Sequence, residues 1–299
     1  MKILNVGSLN IDRVYAVDHF VLGGETISAR NMEVFPGGKG LNQSIALARA
    51  GATVAHAGAI GEDGLFLKEL LKNNNVDVNS LLVKEGATGH AIIQVNPDGK
   101  NCIVILGGTN ISLTEEEVDK FLEGYEANDI LLLQNEVNLT PYMMHKAHEL
   151  GMKIAYNASP INENVFANPL DYVDIFLINE NEGASLANKE GDFEEILEEL
   201  VKKYPNAEIV LTLGEKGVLY AYQNIREKVN ACLVDAIDTT AAGDTFCGYF
   251  LACKAKGLSI KEALHYATHA SACAVMKKGA APSIPTWDEM KAFEEKEKN

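Results

Sequence analysis

Residues 238–244 read Asp-Thr-Thr-Ala-Ala-Gly-Asp, and an apolar run over 246–251 follows at once. A helix start leaves backbone N–H groups unpaired and carries partial positive charge, and Ala241, Ala242 and Gly243 are small enough for a ligand to approach the main chain closely. Such a turn suits anion binding. Asp244 closes it, and a fixed carboxylate there repels an anion unless it accepts a proton from an attacking hydroxyl. Phosphoryl transfer supplies that need. An Asp ahead of an apolar helix is equally suited to capping it, and the heptapeptide by itself is compatible with both roles.

Other polar groups stand just after apolar runs. Asn10 and Asp12 alternate with apolar neighbours, so on an extended segment they share one side, where they could hold adjacent hydroxyls or form a turn. Residues 36–42, Pro-Gly-Gly-Lys-Gly-Leu-Asn, form a second glycine loop entering a helix whose Leu41, Ile45 and Ala48 share a face. This loop lacks the phosphate-loop spacing and the Ser or Thr after Lys39, and reads as a substrate clamp through Gly38, Lys39, Gly40 and Asn42. Glu136 offers a carboxylate to sugar hydroxyls. Asn179-Glu180-Asn181-Glu182 opens a helix, where acids suit the dipole, and a carboxylate there could also hold a hydrated magnesium ion beside triphosphate oxygens. Residues 212–217, Thr-Leu-Gly-Glu-Lys-Gly, offer a hydroxyl, backbone amides and a cation to phosphate or ribose, or form a plain hairpin turn. The pairs His145 with His148 and His265 with His269 fall on single helical faces, a spacing metal sites use. No third ligand is evident, and both pairs read as hydrogen-bonded structural residues.

The elements that must position these groups alternate. Short apolar runs at 3–6, 54–58, 130–133, 154–156, 175–178 and 209–213 are separated by helical patterns, the signature of an α/β fold with a central, mostly parallel sheet covered on both faces. Residues 13–35 and the hairpin pattern 90–106 around Asn-Pro-Asp-Gly read as an antiparallel β-lid, about 12–38 and 88–107, inserted in a single domain spanning 1–299. A further antiparallel pair is expected at 218–223 and 228–234, and a solvated terminal helix at 289–298.

Composition narrows the function classes. A net charge of -16 argues against nucleic-acid binding, and no apolar stretch is long enough to span a bilayer. The start resembles a core strand rather than a signal peptide, pointing to the cytoplasm. The five cysteines are scattered without paired ligand spacing, so they read as small buried side chains in a reducing compartment, with no zinc site.

Gly-Gly-Lys-Gly-Leu-Asn-Gln at 37–43 and Asp-Thr-Thr-Ala-Ala-Gly-Asp-Thr-Phe at 238–246 resemble the two signatures of the ribokinase-like (PfkB) carbohydrate kinases. Asn-Ile-Asp at 10–12, Asn-x-x-Glu at 179–182, Thr-x-Gly-x-x-Gly at 212–217 and Lys-Gly-Ala-Ala-Pro-Ser at 278–283 extend the resemblance over nearly the whole chain. It implies transfer of the γ-phosphoryl group of ATP to a sugar, the pattern being most similar to members acting on the 5-hydroxyl of D-ribose. Kinases of deoxyribose, fructose or nucleosides, and a non-catalytic sugar or nucleotide sensor, are the rival readings. Carried over residue by residue, Asp244 is the base, with Ala241, Ala242 and Gly243 as the anion cradle. Asn10, Asp12, Gly38, Lys39, Gly40, Asn42 and Glu136 surround the sugar. Asn179, Thr212, Gly214, Glu215, Lys216, Gly217, Gly243 and Thr268 contact the nucleotide. Glu182 holds Mg2+ through water, and Asp238, Thr240, Ala274, Lys277, Gly279 and Ser283 hold an activating K+. The resemblance also implies a homodimer formed through the lids. Leu41 and Asn135 stand where they could reshape the sugar pocket.

Overall fold

The apolar runs become central strands because helices cover both faces of the sheet they form. In this computed structural model, which describes residues 1–297, the strands are β1 Ile3–Val6, β2 Asn10–Ala16, β3 Asn31–Gly37, β4 Val54–Ile60, β5 Leu81–Val83, β6 Gly89–Val95, β7 Asn101–Leu106, β8 Ile130–Gln134, β9 Lys153–Asn157, β10 Ile175–Asn179, β11 Glu208–Thr212, β12 Val218–Tyr222 and β13 Ile225–Val229. The helices are α1 Lys39–Arg49, α2 Leu65–Asn73, α3 Glu115–Leu122, α4 Thr140–Glu149, α5 Glu163–Phe166, α6 Glu180–Ala187, α7 Phe193–Lys203, α8 Ala242–Ala255, α9 Ile260–Val275 and α10 Trp287–Glu297.

Nine strands form the large sheet in the order β13-β12-β11-β10-β9-β8-β1-β4-β5, with every pairing parallel except those β12 makes with β11 and β13. The chain leaves β1 towards β4 and β5, then returns on the other side of β1 as β8. Strand order therefore reverses beside β1, and ligands of open α/β sheets bind where it does. Alternate residues feed two cores. Ile3, Leu132, Leu177 and Val210 pack with Ile45, Phe250 and Ala267 on one face, while Leu4, Leu131, Phe176 and Leu211 pack with Met143 and Leu197 on the other. Burial on both faces is why these strands read as unbroken apolar runs.

The lid is a separate four-stranded sheet, β3-β2-β6-β7, whose hairpin between β6 and β7 closes with Gly99 N–H on the Asn96 carbonyl. Its residues 10–37 and 89–106 flank the chain between β1 and α3. Among the described residues no helix is long and apolar enough to cross a membrane.

Two elements differ from the sequence reading. The strand expected at 228–234 is β13, three residues earlier, paired to β12 with Tyr222 opposite Ile225. Gln223, at a left-handed φ of 49°, allows a two-residue turn there, so residues 230–234 leave the sheet. The terminal helix α10 is present over its described residues, but it is not simply solvated. Met290 joins the core, and buried Glu294 accepts from His265 at 2.8 Å and from Lys291. Lys298 lies outside the described residues.

Candidate active site

The carboxyl ends of β1 and β8 to β11 meet the N-termini of α1, α6 and α8 around two adjoining cavities. One, of about 230 Å3, is lined by Lys39, Asn157, Asn179, Glu182, Gly243 and Asp244. The other, of about 400 Å3, is lined by Gly214, Glu215, Gly217, Cys232, Thr268 and Ser271. Thr212, Thr239, Ala242, Gly243 and Phe246 line both, so one ligand could occupy the two without a break.

Asp244 does not cap α8. The N-cap is Ala241, at a left-handed φ of 60°, and no side chain caps the helix. Buried Asp244 instead accepts from Asn42 Nδ2 at 3.0 Å on one oxygen and from Gln43 Nε2 at 2.9 Å on the other. Both amides lie near the start of α1, so the second glycine loop delivers the holders of the acid. Gln43 is itself held: its Nε2 also faces Asn157 Oδ1 at 3.1 Å, and its Oε1 accepts from Gln134 Nε2 at 2.7 Å. Gln134 donates on to Asn5 Oδ1, and Asn5 donates to Ser44 Oγ and the Gly40 carbonyl. The sequence reading missed Asn5, Gln43, Gln134 and Asn157. For Asn5, Gln134 and Asn157 the signal was present, since amides inside otherwise apolar strands need partners when buried. Asn42 Oδ1 is buried without a partner, an acceptor that a sugar hydroxyl would satisfy.

Of the expected cradle, the Ala242 N–H is already engaged by the Thr239 carbonyl at 3.2 Å. That leaves Gly243 and Asp244 among the first-turn donors without intrahelical partners. A Cβ built on Gly243 meets nothing within 4 Å, so packing does not demand glycine there. Gly243→Ala is therefore expected to keep or raise stability, by up to about 1 kcal/mol from helix propensity, while lowering turnover by crowding the anion. A thermal melt and a steady-state assay read both signs, and unchanged kinetics would remove the cradle from the site.

The loop at 37–40 is shaped by close approach. Gly38 sits at φ 97°, and a Cβ on Gly40 would lie 2.5 Å from backbone atoms of Gly7 and Ser8. This contact presses the start of α1 against the β1–β2 connection, where Ser8 donates to Glu136 and the Lys39 N–H donates to the same carboxylate at 3.1 Å. Asn10 Oδ1 accepts from Asn110 Nδ2 at 2.8 Å, a partner the sequence did not reveal. Burial raises the pKa of Glu136. Burial first, then the charge of Glu136, pushes Asp12 from 3.8 to about 6. The Lys39 ammonium is held above its usual range by Asp244 foremost, against burial, with help from Glu136 and Glu182. Leu41 is fully buried in the core, and Asn135 bonds Pro160 and Asn162, so neither is seen bonding the sugar-side groups.

Of the residues expected at the nucleotide, Asn179 and Glu182 form a reciprocal capping box at α6, with both Glu182 oxygens accepting from Asn179, and both residues line the smaller cavity. Thr268 lines the larger cavity with its hydroxyl donated to the Leu264 carbonyl. Lys216 departs from the reading. Its ammonium lies 4.7 Å from the Phe193 ring centroid, and it is not among the residues lining either cavity, because the turn at 214–216 directs it towards α7.

Asp238 accepts from Thr240 N–H at 2.9 Å, Thr240 Oγ1 at 2.6 Å and Gly279 N–H at 2.9 Å. Burial opposes ionisation, yet these bonds hold its carboxyl below the usual range. Ser283 donates to the Ala280 carbonyl, and the Ala274 carbonyl accepts from Lys277 N–H. His145 and His148 pack against the Tyr172 ring.

This geometry has relatives. The family model for pfkB family carbohydrate kinases matches residues 1–287. The ribokinase of Haemophilus influenzae is 35% identical over 296 residues, covering 96% of each chain. Among solved structures, the Cryptococcus neoformans ribokinase in complex with ADP is 32% identical with a TM-score of 0.84, covering 99% of each chain. The Arabidopsis thaliana ribokinase complexed with ribose and ATP is 28% identical with a TM-score of 0.86, covering 97% of each. On the extent of these matches and on the sheet, lid and cradle they accompany, the chain belongs to the pfkB family of carbohydrate kinases.

Proposed function

We propose that the protein transfers the γ-phosphoryl group of ATP to the 5-hydroxyl of D-ribose. The observation that carries the reading is Asp244, fixed through both oxygens at a helix N-terminus between a sugar-side acid pair and a nucleotide-sized cavity. Full-length similarity to ribokinases, one of them complexed with ribose and ATP, supports the choice of substrates.

In this reading Asn10 and Asp12 from the lid, and Glu136 from the large sheet, accept hydrogen bonds from the sugar hydroxyls. The hydroxyl that attacks the γ-phosphorus gives its proton to Asp244, and ADP leaves in line. The transferred group needs positioning and donors more than covalent chemistry. Gly243 and Asp244 amides and the Lys39 ammonium supply them. Thr212, Gly214, Glu215 and Gly217, with Asn179 and Thr268, bound the nucleotide.

The residues fit two ions. Glu182 is a buried carboxylate on the cavity wall with oxygen chemistry suited to water-held Mg2+, which would neutralise phosphate charge. Asp238 offers the one carboxylate among neutral oxygens of Thr240, Ala274, Lys277, Gly279 and Ser283, a set suited to K+, which would brace the turn before α8. Val34, Arg13, Ile92 and Val104 lie side by side across the lid, and its three apolar members are exposed, which supports a dimer through this face. Sedimentation of wild type against Val104→Glu tests that contact; identical masses would exclude it. We place the enzyme in the cytoplasm.

A coupled ADP-release assay over pentoses, hexoses and nucleosides, run in potassium and in tetramethylammonium salts, tests the function. Ribose is expected to give the highest kcat/KM and potassium the higher rate. A better alternative sugar would overturn the substrate, and equal rates in the two salts the ion.

The raised pKa of Asp12 fixes a pH dependence. Above about 6 the carboxylate is ionised and accepts from two hydroxyls; below it the acid is protonated. The kcat/KM for sugar should fall about tenfold per pH unit below that point, since this parameter reports the free enzyme. Asp12→Asn should be slow throughout and lack the limb. A wild-type limb that persists in the variant would assign the titration elsewhere.

A further inference from the structure

The sequence shows no third donor beside His265 and His269 and no paired cysteines, but the fold joins residues that it separates. We propose that Cys232, His269 and Glu297 form a binding site for a zinc-like transition-metal ion on the outer wall of the nucleotide cavity.

Each of the three offers one ligand atom, and these atoms lie within 4.8 Å of one another. His269 Nε2 is 3.9 Å from Glu297 Oε2, and the Cys232 thiol faces the same oxygen, across 65 residues of sequence. Tetrahedral zinc with sulfur, nitrogen and oxygen ligands needs ligand atoms roughly 3.3–3.8 Å apart, from bond lengths of about 2.0–2.3 Å. Small side-chain rotations reach that spacing.

The tautomer of His269 is an independent sign. Its Nδ1 is 2.9 Å from the His265 carbonyl oxygen, which can only accept, so the proton resides on Nδ1 and the Nε2 lone pair is turned towards Glu297. Metal-binding imidazoles are oriented by this kind of contact. The mixed sulfur, nitrogen and oxygen set favours zinc over magnesium, so the ion that accompanies ATP would not compete. Binding replaces the thiol S–H bond by a metal–sulfur bond and releases the proton to solvent. Exposed Glu297 leaves the fourth position to water.

The donors come from the loop after β13, from α9 and from the end of α10. Cys232 also lines the larger cavity with Thr268, the residue before His269. An ion here would clamp the 231–236 segment onto α9, a structural role outside the chemistry.

The test uses the full chain, stripped with chelator, free of nucleotide and in excess Mg2+, titrated with Co2+ as the spectroscopic probe. One equivalent should bind with a sulfur-to-cobalt charge-transfer band that Zn2+ displaces. Cys232→Ser should abolish the band, and His269→Gln and Glu297→Gln should each weaken binding at least roughly tenfold. Cys102→Ser, which removes the exposed lid thiol, should leave the band intact. Zn2+ should raise the melting temperature of wild type and not of Cys232→Ser, which reports on binding even if a variant is less stable. A band that survives Cys232→Ser, or unchanged affinity in His269→Gln, would overturn the site.

Discussion

Asp244→Asn is expected to lower kcat by roughly 10²- to 10⁴-fold, the usual contribution of a positioned general base, with little change in fold stability. The second half of that statement follows from the amides around it. Asn42 and Gln43 each donate to one carboxylate oxygen, so an asparagine at 244 would turn its NH2 towards a donor. Gln43 cannot reverse cheaply, because its Oε1 is occupied by Gln134. Asn42 can, because its Oδ1 has no partner and would accept from the new NH2. The rotation removes the clash and preserves packing. Steady-state kinetics and a thermal melt on the same sample check both parts. Retained turnover would exclude Asp244 as proton acceptor, whereas loss of turnover with unfolding would reduce it to a structural residue.

Lys39→Met should cost roughly 10²- to 10³-fold in kcat, on the scale of removing one charge-stabilising donor from a transition state. Among the described residues, Lys39 is the only cationic side chain lining the smaller cavity, which Asp244 and Glu182 also line. A phosphate entering that space meets carboxylates of its own sign, and the Lys39 ammonium is the protein cation placed there to offset them. Methionine preserves the length of the stem and, in α1, the helix propensity. The loss should therefore appear in kcat more than in the KM for sugar, because the Glu136 contact of residue 39 is made by its backbone N–H. A rise in sugar KM with normal kcat would assign the lysine to sugar binding instead.

The fold was legible because covered parallel strands have few ways to look: 3–6, 130–133 and 175–178 are apolar on both faces and could hardly be anything else. The two helix entrances, before α1 and before α8, were legible because runs of small residues ahead of an apolar helical pattern mark a turn into it. What stayed hidden was the connection between them. Gln43 reaches Asp244 across 201 residues, and only the fold brings α1 against α8. Asn5 was absorbed into the apolar run 3–6, and Gln134 was placed just past the run 130–133, although it ends β8 and its buried amide signals a polar network. The side-chain direction of Lys216, towards Phe193, was not legible because a motif records order along the chain, whereas the direction of a side chain is set by the turn that carries it. Residues 228–234 were misplaced because a single left-handed residue, Gln223, shortened the hairpin.

Among the described residues the small sheet shares no hydrogen-bonded ladder with the large one, yet it carries Asn10 and Asp12. Asp244 and its amide holders belong to helices anchored in the core. On the proposed reading, recognition and reaction are lodged in parts with separate foundations. Over evolutionary time the lid can be rewritten to greet a different sugar while the machinery for moving a phosphate is inherited intact, and a designer wishing to retarget this kinase has the same freedom, bounded by Glu136.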